Sequence, residues 1–492
     1  MAMFYSTRGD SQCVTAPEAV LRGMAPDGGL YILKEAPRIP VEEVRGLDFV
    51  SLSKRILSAW LPGYSEEEID GCVTRAYRDK FDAPDIAPIR HVGDKYVLEL
   101  FHGPTAAFKD VALSVLPQLM RCAMDKRGGD EKIMILTATS GDTGSAALTG
   151  FRDVPGVGIL VFYPKQGISS IQRVQMTAAL GQNVCACAID GNFDDAQTGV
   201  KRIFADMDPA FCASRHLSLS SANSINIGRL APQIVYYYSA YLALVDAGAL
   251  NMGEPLDFSV PTGNFGDILA GYLAKRSGLP VGRLVCASNA NNVLTDFINT
   301  GVYNRKRDFL RTISPSMDIL VSSNLERLLY LASGCDSELV HTMMASLKAE
   351  GGYHAPDALM NAVRADFACG YANDTETAAV IERVFRETHY LMDPHTAVAW
   401  KVAEDVAAER GSSAPMVVLS TASPYKFPQS VLNALGADAS GDVKAQFERM
   451  EKISNTNAPR ALANALTRTE RFRDVIPVDN MMAYVMERAA EL

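Results

Sequence analysis

From about residue 95 onward, short β-branched runs alternate with stretches of helical spacing. This alternation constrains the fold more than any other feature of the chain. The runs lie at 132–138, 158–162, 183–189, 257–260, 283–287 and 416–419. Such alternation predicts an α/β fold with a mainly parallel sheet. Ligands of such sheets bind beyond the carboxyl ends of the strands, so the loops after these runs are where function is sought. Residues 1–85 read as a separate unit, with a turn at Pro26-Asp27-Gly28-Gly29 and then helical stretches up to Arg78. With 492 residues, the chain is too long for one simple core and suggests roughly two to four domains.

Composition narrows the function classes. Apolar residues make up 48% and charged residues 21%, as in a soluble globular protein. A formal net charge of −10 argues against nucleic acid or an anionic membrane as the main partner, though an acidic protein can still hold a local cationic pocket. The start, MAMFYSTRGD, has no basic segment followed by an apolar one, so no secretory signal is expected. The most apolar long stretch, 234–250, contains Tyr236, Tyr237, Tyr238 and Asp246, and is too short and too polar to span a bilayer. The nine cysteines are scattered singly apart from Cys185 and Cys187. That pair would share one face of a strand, but no second Cys or His cluster with zinc spacing accompanies it. Free thiols in a reducing cytoplasm, and no metal, are the expectation.

Three loops after predicted strands carry the candidate chemistry. The first is Thr139-Ser140-Gly141-Asp142-Thr143-Gly144-Ser145. Its small residues open backbone N–H groups at a helix start, which favours an anion. The same residues also suit a tight turn with Asp142 or Thr143 as N-cap. The second is Pro261-Thr262-Gly263-Asn264-Phe265-Gly266-Asp267, a similar cradle whose two glycines allow close approach or positive φ. A look-alike at Gly191-Asn192-Phe193-Asp194 lacks the second glycine and reads as a plain connecting turn. The third is Ser420-Thr421-Ala422-Ser423-Pro424-Tyr425-Lys426, where Pro424 ends the strand and hydroxyls cluster. Neither a P-loop nor GxGxxG is among them.

Two further stretches complete the set. Asn223-Ser224-Ile225-Asn226-Ile227-Gly228-Arg229 opens a helix and places one guanidinium among amides and a hydroxyl, a pattern suited to phosphate. Phe101-His102-Gly103-Pro104-Thr105-Ala106-Ala107-Phe108-Lys109-Asp110 sets a lone ammonium among aromatic and small residues. Lys is among the residues least willing to be buried. Either Lys109 snorkels to the surface, or the site needs an amine that has lost part of its hydration.

Together these stretches resemble the threonine synthase family, pyridoxal-phosphate enzymes of fold type II (tryptophan synthase β-like). The resemblance runs over nearly the whole chain. It includes Tyr5-Ser6-Thr7-Arg8-Gly9, Pro26 to Tyr31, the 101–110, 139–144, 223–229 and 263–267 stretches, Asp393-Pro394-His395-Thr396-Ala397, and 420–428. It implies two interleaved parallel-sheet α/β subdomains in residues 86–492, the smaller about 115–225, and an N-terminal cap at 1–85.

The cofactor implied is pyridoxal 5'-phosphate, carried as a Schiff base on Lys109. Gly263, Asn264, Phe265, Gly266 and Asp267 are implied to cradle its phosphate, and Thr421 to partner its pyridine nitrogen. Ser140, Gly141, Asp142 and Thr143 are implied to hold the substrate carboxylate. Asn223, Ser224 and Arg229 would hold the substrate phosphate, with Asn226 and Lys426 as additions. Relatives in the wider fold group carry Asn where this chain has Asp142, and an ionised Asp cannot donate a hydrogen bond. His102 and His395 are expected as hydrogen-bonded histidines rather than proton carriers. The reaction implied converts O-phospho-L-homoserine and water into L-threonine and phosphate, in a cytoplasmic monomer or homodimer. Rival readings are another fold type II enzyme, such as a serine or threonine dehydratase or a cysteine synthase, and a noncatalytic homologue.

Overall fold

The computed structural model describes residues 2–410 and 414–491. All six predicted runs are strands, and they divide between two sheets. The larger sheet orders its strands Phe367–Tyr371, Val281–Ser288, Leu256–Pro261, Met416–Ser420, Lys95–Glu99 and Ile89–Val92. Neighbours run parallel except the last pair, which is antiparallel. The smaller sheet orders Val475–Ile476, Val184–Ile189, Val157–Pro164, Lys132–Ala138 and Leu217–Ser220, all parallel. Val157–Pro164 and Leu256–Pro261 are buried at every position, as central parallel strands must be when helices cover both faces.

Helix Pro394–Arg410 packs on the larger sheet, and Phe193–Asp206 with Met481–Ala489 covers the smaller. The chain's C-terminal part therefore returns to the smaller sheet. The N-terminal segment pairs Tyr5–Ser6 with Tyr31–Ile32 and adds helices Ala16–Arg22, Phe49–Trp60 and Glu66–Tyr77. Its apolar core is continuous with that between the sheets. An ion pair between Arg8 and Glu326 at 2.7 Å ties it to helix Leu325–Ala332. Among the described residues no helix is long and apolar enough to cross a membrane.

Helix Lys109–Arg127 joins these parts. It packs against Ala16–Arg22, Glu66–Tyr77 and Asp142–Gly150. Gly150 permits the last contact, since a Cβ there would sit 2.0 Å from the Leu113 carbonyl oxygen.

Candidate functional site

Three adjacent parallel strands of the larger sheet, Leu256–Pro261, Met416–Ser420 and Lys95–Glu99, end on one edge. Their following loops therefore meet. The Phe108 N–H donates to the Thr421 carbonyl oxygen at 2.8 Å, and the Ser423 N–H donates to the Ala106 carbonyl oxygen at 3.1 Å. This short ladder fixes Lys109, the first residue of its helix, beside the hydroxyl loop. Asp110 braces the turn from within. Its carboxylate accepts from the Thr105 N–H at 2.8 Å and the Thr105 hydroxyl at 2.6 Å.

The Lys109 side chain is 11% exposed, and its Nζ lies 3.5 Å from Asp142 Oδ2 and 4.4 Å from the Phe108 ring centre. Burial lowers its pKa, Asp142 opposes this, and Arg229 and Lys426 reinforce it. Snorkelling is thus excluded. Asp142 comes from the smaller sheet, at the start of helix Asp142–Gly150. Gly141, not Asp142 or Thr143, takes the N-cap position. It has φ +136, and a Cβ there would meet the Gln172 side chain at 2.5 Å. Asp142 is left free to point into the site. Its Oδ1 pairs with Lys426 Nζ at 2.8 Å and accepts from Gln172 Nε2 at 2.8 Å. Its Oδ2 accepts from the Ser316 hydroxyl at 3.0 Å. Burial alone would raise the Asp142 pKa, but the Lys426 and Lys109 charges, with the Lys426 and Gln172 hydrogen bonds, hold it well below the usual carboxylate range. Asp142 is therefore an acceptor here.

The 263–267 loop differs instructively from its look-alike. At 191–194, Asn192 caps its own helix. Its side chain accepts from the Asp195 N–H at 3.0 Å, and the Asp195 carboxylate accepts from the Asn192 N–H at 2.8 Å. At helix Gly266–Arg276 the N-cap is Phe265, with no side-chain cap. The first-turn N–H groups of a helix have no intrahelical acceptor, so this start stays open to an anion. Phe265, rather than either glycine, takes the positive φ, +64. The glycines serve close approach. A Cβ on Gly263 would sit 2.9 Å from the Ser316 carbonyl oxygen, and one on Gly266 would sit 3.2 Å from Ser224 Cβ. Asn264 is held through its carbonyl oxygen, which accepts from the Asn324 N–H at 3.0 Å. Asp267 accepts on Oδ1 from Tyr236 at 2.5 Å and Tyr237 at 3.0 Å, while its buried Oδ2 has no hydrogen-bond partner among the described residues. Burial pushes Asp267 up to about 6 against those two hydroxyls, and the charge of Lys109 reaches it.

Arg229 follows the edge strand Leu217–Ser220, on the short helix Ile227–Leu230. It is buried, with Nη1 donating to the Ala222 carbonyl oxygen at 2.7 Å and Nη2 to the Thr143 hydroxyl at 3.3 Å. Among the described residues no carboxylate pairs with it, and burial pushes its pKa down to about 10. Asn223 lies in the same turn with a buried Oδ1 that has no hydrogen-bond partner among the described residues, and Ser224 lies against Gly266. Asn226 stands apart from the others. Its Nδ2 donates to the Val20 and Ser221 carbonyl oxygens at 2.9 and 3.3 Å, and its Oδ1 accepts from the Gly228 N–H at 2.9 Å. It caps its helix and braces the N-terminal segment. Lys426, fully buried, donates to the Thr105 carbonyl oxygen at 2.9 Å besides pairing with Asp142.

The structure adds residues that no motif marks. Gln172 and Ser316 grip Asp142. Arg327, fully buried, donates to the Tyr31 carbonyl oxygen at 2.9 Å and the Ile225 carbonyl oxygen at 2.6 Å. His395 is buried and bonded through both ring nitrogens, while His102 lies between Asp82 and Glu99. A cleft of about 1420 Å³ opens beside Ser140 and Phe427, between segments 166–174, 309–318 and 428–448. The site as a whole gathers three buried cations, with Asp142 between Lys109 and Lys426, Arg229 nearby, and Asp267 on the helix whose start is uncapped. Such an arrangement binds a ligand with several negative charges and sets a desolvated amine against it.

Comparison with known proteins gives the family. The family model described as "Pyridoxal-phosphate dependent enzyme" matches residues 89–422. "Threonine synthase N terminus" matches 3–77, and "Threonine synthase, C-terminal" matches 396–485. A threonine synthase from Pseudomonas aeruginosa is 39% identical over 482 residues, covering 95% of this chain and 97% of that protein. Human threonine synthase-like 1 is 40% identical over 433 residues, covering 85% of this chain, which spans only 58% of that longer protein. The crystal structure of yeast threonine synthase superposes with a TM-score of 0.88 at 32% identity, covering 100% of this chain and 99% of that one. That of a pyridoxal-phosphate-bound threonine synthase from Brucella melitensis superposes at 0.87 and 38% identity, covering 99% and 100%. Similar to these proteins from its N-terminal strand pair to its C-terminal helices, the chain belongs to the threonine synthase family of pyridoxal-phosphate-dependent enzymes.

Proposed function

We propose that the chain converts O-phospho-L-homoserine and water into L-threonine and phosphate, using pyridoxal 5'-phosphate, in the cytoplasm. The residues present fit the cofactor. An uncapped helix start, one glycine without room for a Cβ and a second with little, and a buried amine facing the same edge suit a phosphorylated aldehyde. In this reading Lys109 carries the cofactor, the 263–267 loop takes its phosphate, and Thr421 lies at its ring. Residues 1–85 act as a cap, and the part around 115–225 is the smaller catalytic unit.

The cofactor supplies an electron sink for charge that develops on the substrate carbons. The protein binds, orients and moves protons. Ser140, Asp142 and Thr143 present N–H groups to the substrate carboxylate at a second helix start, while the Gly141 and Gly144 N–H groups are taken by the Thr139 hydroxyl at 2.9 Å each. Lys109 Nζ, lowered by burial, accepts protons from Cα and then Cβ, passes one to Cγ, which becomes the methyl group once phosphate has left, and returns one at Cα, while the proton released by the added water leaves with the phosphate. Arg229, with Asn223 and Ser224, holds the phosphate on Cγ and bears the negative charge as that group departs. Water adds at Cβ.

Arg229 carries the argument. A buried guanidinium that, unlike Arg327, donates to only two neutral acceptors among the described residues is costly unless a ligand supplies more. A dehydratase acting on a neutral hydroxyl would have no such need. The test assays threonine and phosphate formation by the purified protein with cofactor and O-phosphohomoserine. Arg229→Gln should raise KM for that substrate by about tenfold or more, the value of one lost charged hydrogen bond. An unchanged KM, or a parent protein that makes no threonine, overturns the assignment.

A further inference from the structure

Ser316 lies behind Asp142 and has no part in the reaction just described. It sits in the single turn Pro315–Met317, within a long irregular segment of the larger unit, and it reaches across to Asp142 of the smaller one. Its Oγ donates to Asp142 Oδ2 at 3.0 Å, the oxygen that faces Lys109 Nζ at 3.5 Å. Lys426 and Gln172 both approach Oδ1. Among the described residues, Ser316 is therefore the neutral donor on the oxygen nearest Lys109.

The turn is itself held rigidly. The Ser316 N–H donates to His395 Nε2 at 3.1 Å. A backbone N–H can only donate, so Nε2 must be the unprotonated nitrogen. The His395 proton then resides on Nδ1, 2.5 Å from Asp393 Oδ2. Asp393 is completely buried and is fixed in turn by the N–H groups of His395 and Thr396 at 2.9 and 3.2 Å. The imidazole packs against Phe427, with ring centres 4.8 Å apart. On its other side the Ser316 carbonyl meets Gly263, where a Cβ would lie at 2.9 Å. A locked histidine tautomer thus places a serine whose hydroxyl meets the carboxylate beside the reactive amine.

A hydrogen bond to a carboxylate disperses its charge and makes it a poorer base. Without Ser316, Oδ2 would draw the Lys109 proton more strongly. We propose that Ser316, set by His395 and Asp393, is a positioning residue that tempers Asp142 so that Lys109 can release its proton near neutral pH. The proposal rests on the assigned role of Lys109. The other charged groups facing Lys109 are Arg229 on Ile227–Leu230, Lys426 after strand Met416–Ser420, and Asp267 on Gly266–Arg276. All of them stay in place when Ser316 is changed.

The test uses Ser316→Ala, Ser316→Cys and Ser316→Thr in the full chain. In the cofactor-free protein, acetic anhydride labels Lys109 as the free amine, and peptide mass gives the pH midpoint of labelling. Ser316→Ala should raise that midpoint by about half a unit to one unit, the effect of losing one hydrogen bond to a charged group. Ser316→Cys, of similar size but a weaker donor, should lie between, and Ser316→Thr should restore the parent value. In the holoenzyme at pH 7, Ser316→Ala should lower kcat by about three- to tenfold with KM changed less than about twofold, since proton release and not binding is affected. A midpoint that stays or falls in both the Ala and Cys variants, or a Thr variant like Ala, overturns the proposal. A parent protein that makes no threonine yet shows the labelling shift would overturn the assigned reaction and leave the hold of Ser316 on Asp142 standing.

Discussion

Lys426 Nζ lies 2.8 Å from Asp142 Oδ1, with side-chain exposures of 0% and 2%. The pair joins the larger sheet's hydroxyl loop to the first helix turn of the smaller sheet. Removing one member of such a pair leaves an uncompensated buried charge, whereas removing both can be nearly neutral. Lys426→Met should therefore cost about 3–5 kcal/mol in urea unfolding. Adding Asp142→Asn should return at least about 1 kcal/mol of that. Strict additivity of the two changes would show that the pair contributes no coupling. The sign with pH is set by the depressed Asp142 pKa. Its contribution is present above the unfolded carboxylate value of about 4 and is lost as pH falls through the lower folded value. Asp142→Asn should accordingly flatten the acid limb of the stability curve.

His102 stands between Asp82 at 2.7 Å and Glu99 at 3.0 Å. Burial lowers its pKa, but the hydrogen bonds and charges of those two carboxylates outweigh this and raise it to about 9. The stabilisation is therefore complete below about pH 6.5 and lost as pH rises through about 9. Tm of the parent protein should fall by roughly 1–3 °C over that window, a modest value because the site is partly hydrated. His102→Gln should remove the slope. An equal slope in the variant would assign the pH dependence to another group.

The strands and loop ends were legible because their signals are local. A β-branched run followed by small residues marks a strand and its ligand-binding end, and each of the six runs holds. Leu217–Ser220 and Phe367–Tyr371 were not legible, since LSLS and FACGY offer too little apolar length. At the site, Lys109 stood out by contrast with its neighbours, and Arg229 by its place at a helix start. Asn264 and Asn192 occupy near-identical words, yet one helix caps itself and the other stays open. Both words carry an Asp three residues after the Asn, but Asp195 turns back to complete a capping box, whereas Asp267 is held by the Tyr236 and Tyr237 hydroxyls and its helix starts only after Phe265 has taken a positive φ. Ser316 and Gln172 carry no signal of their own. Each matters through a partner far away in the chain, 174 and 30 residues from Asp142, and local spacing cannot express that.

Gly263 and Gly266 separate two uses of glycine. A Cβ at 263 would press at 2.9 Å on the Ser316 carbonyl oxygen, a backbone atom of a turn that His395 holds through the Ser316 N–H. A Cβ at 266 would meet Ser224 Cβ at 3.2 Å, a side chain with somewhat more freedom to shift. Gly263→Ala should weaken pyridoxal phosphate binding by about tenfold or more, a change of about 1.4 kcal/mol. Gly266→Ala should weaken it less. Absorbance titration of the cofactor-free variants measures both, and a larger loss at 266 would contradict this order.

Arg327 links three segments through one guanidinium. Nε and Nη2 donate to the Tyr31 carbonyl oxygen at 3.1 and 2.9 Å, Nη2 also to the Ile225 carbonyl oxygen at 2.6 Å, and Nη1 to Asn324 Oδ1 at 2.5 Å. Burial lowers it to about 9, with Glu326 opposing. Its acceptors are the N-terminal strand pair, the turn that carries Asn223 and Ser224, and the residue that holds Asn264. Arg327→Met leaves those buried carbonyls without donors, at about 1–3 kcal/mol each, and frees the 223–229 turn. KM for O-phosphohomoserine should then rise by about tenfold, with a smaller change in cofactor affinity. Arg327→Lys should not restore it, because one ammonium cannot span acceptors that a planar fork reaches together. A lysine variant with the parent KM would show that charge alone, and not the fork, holds the turn in place.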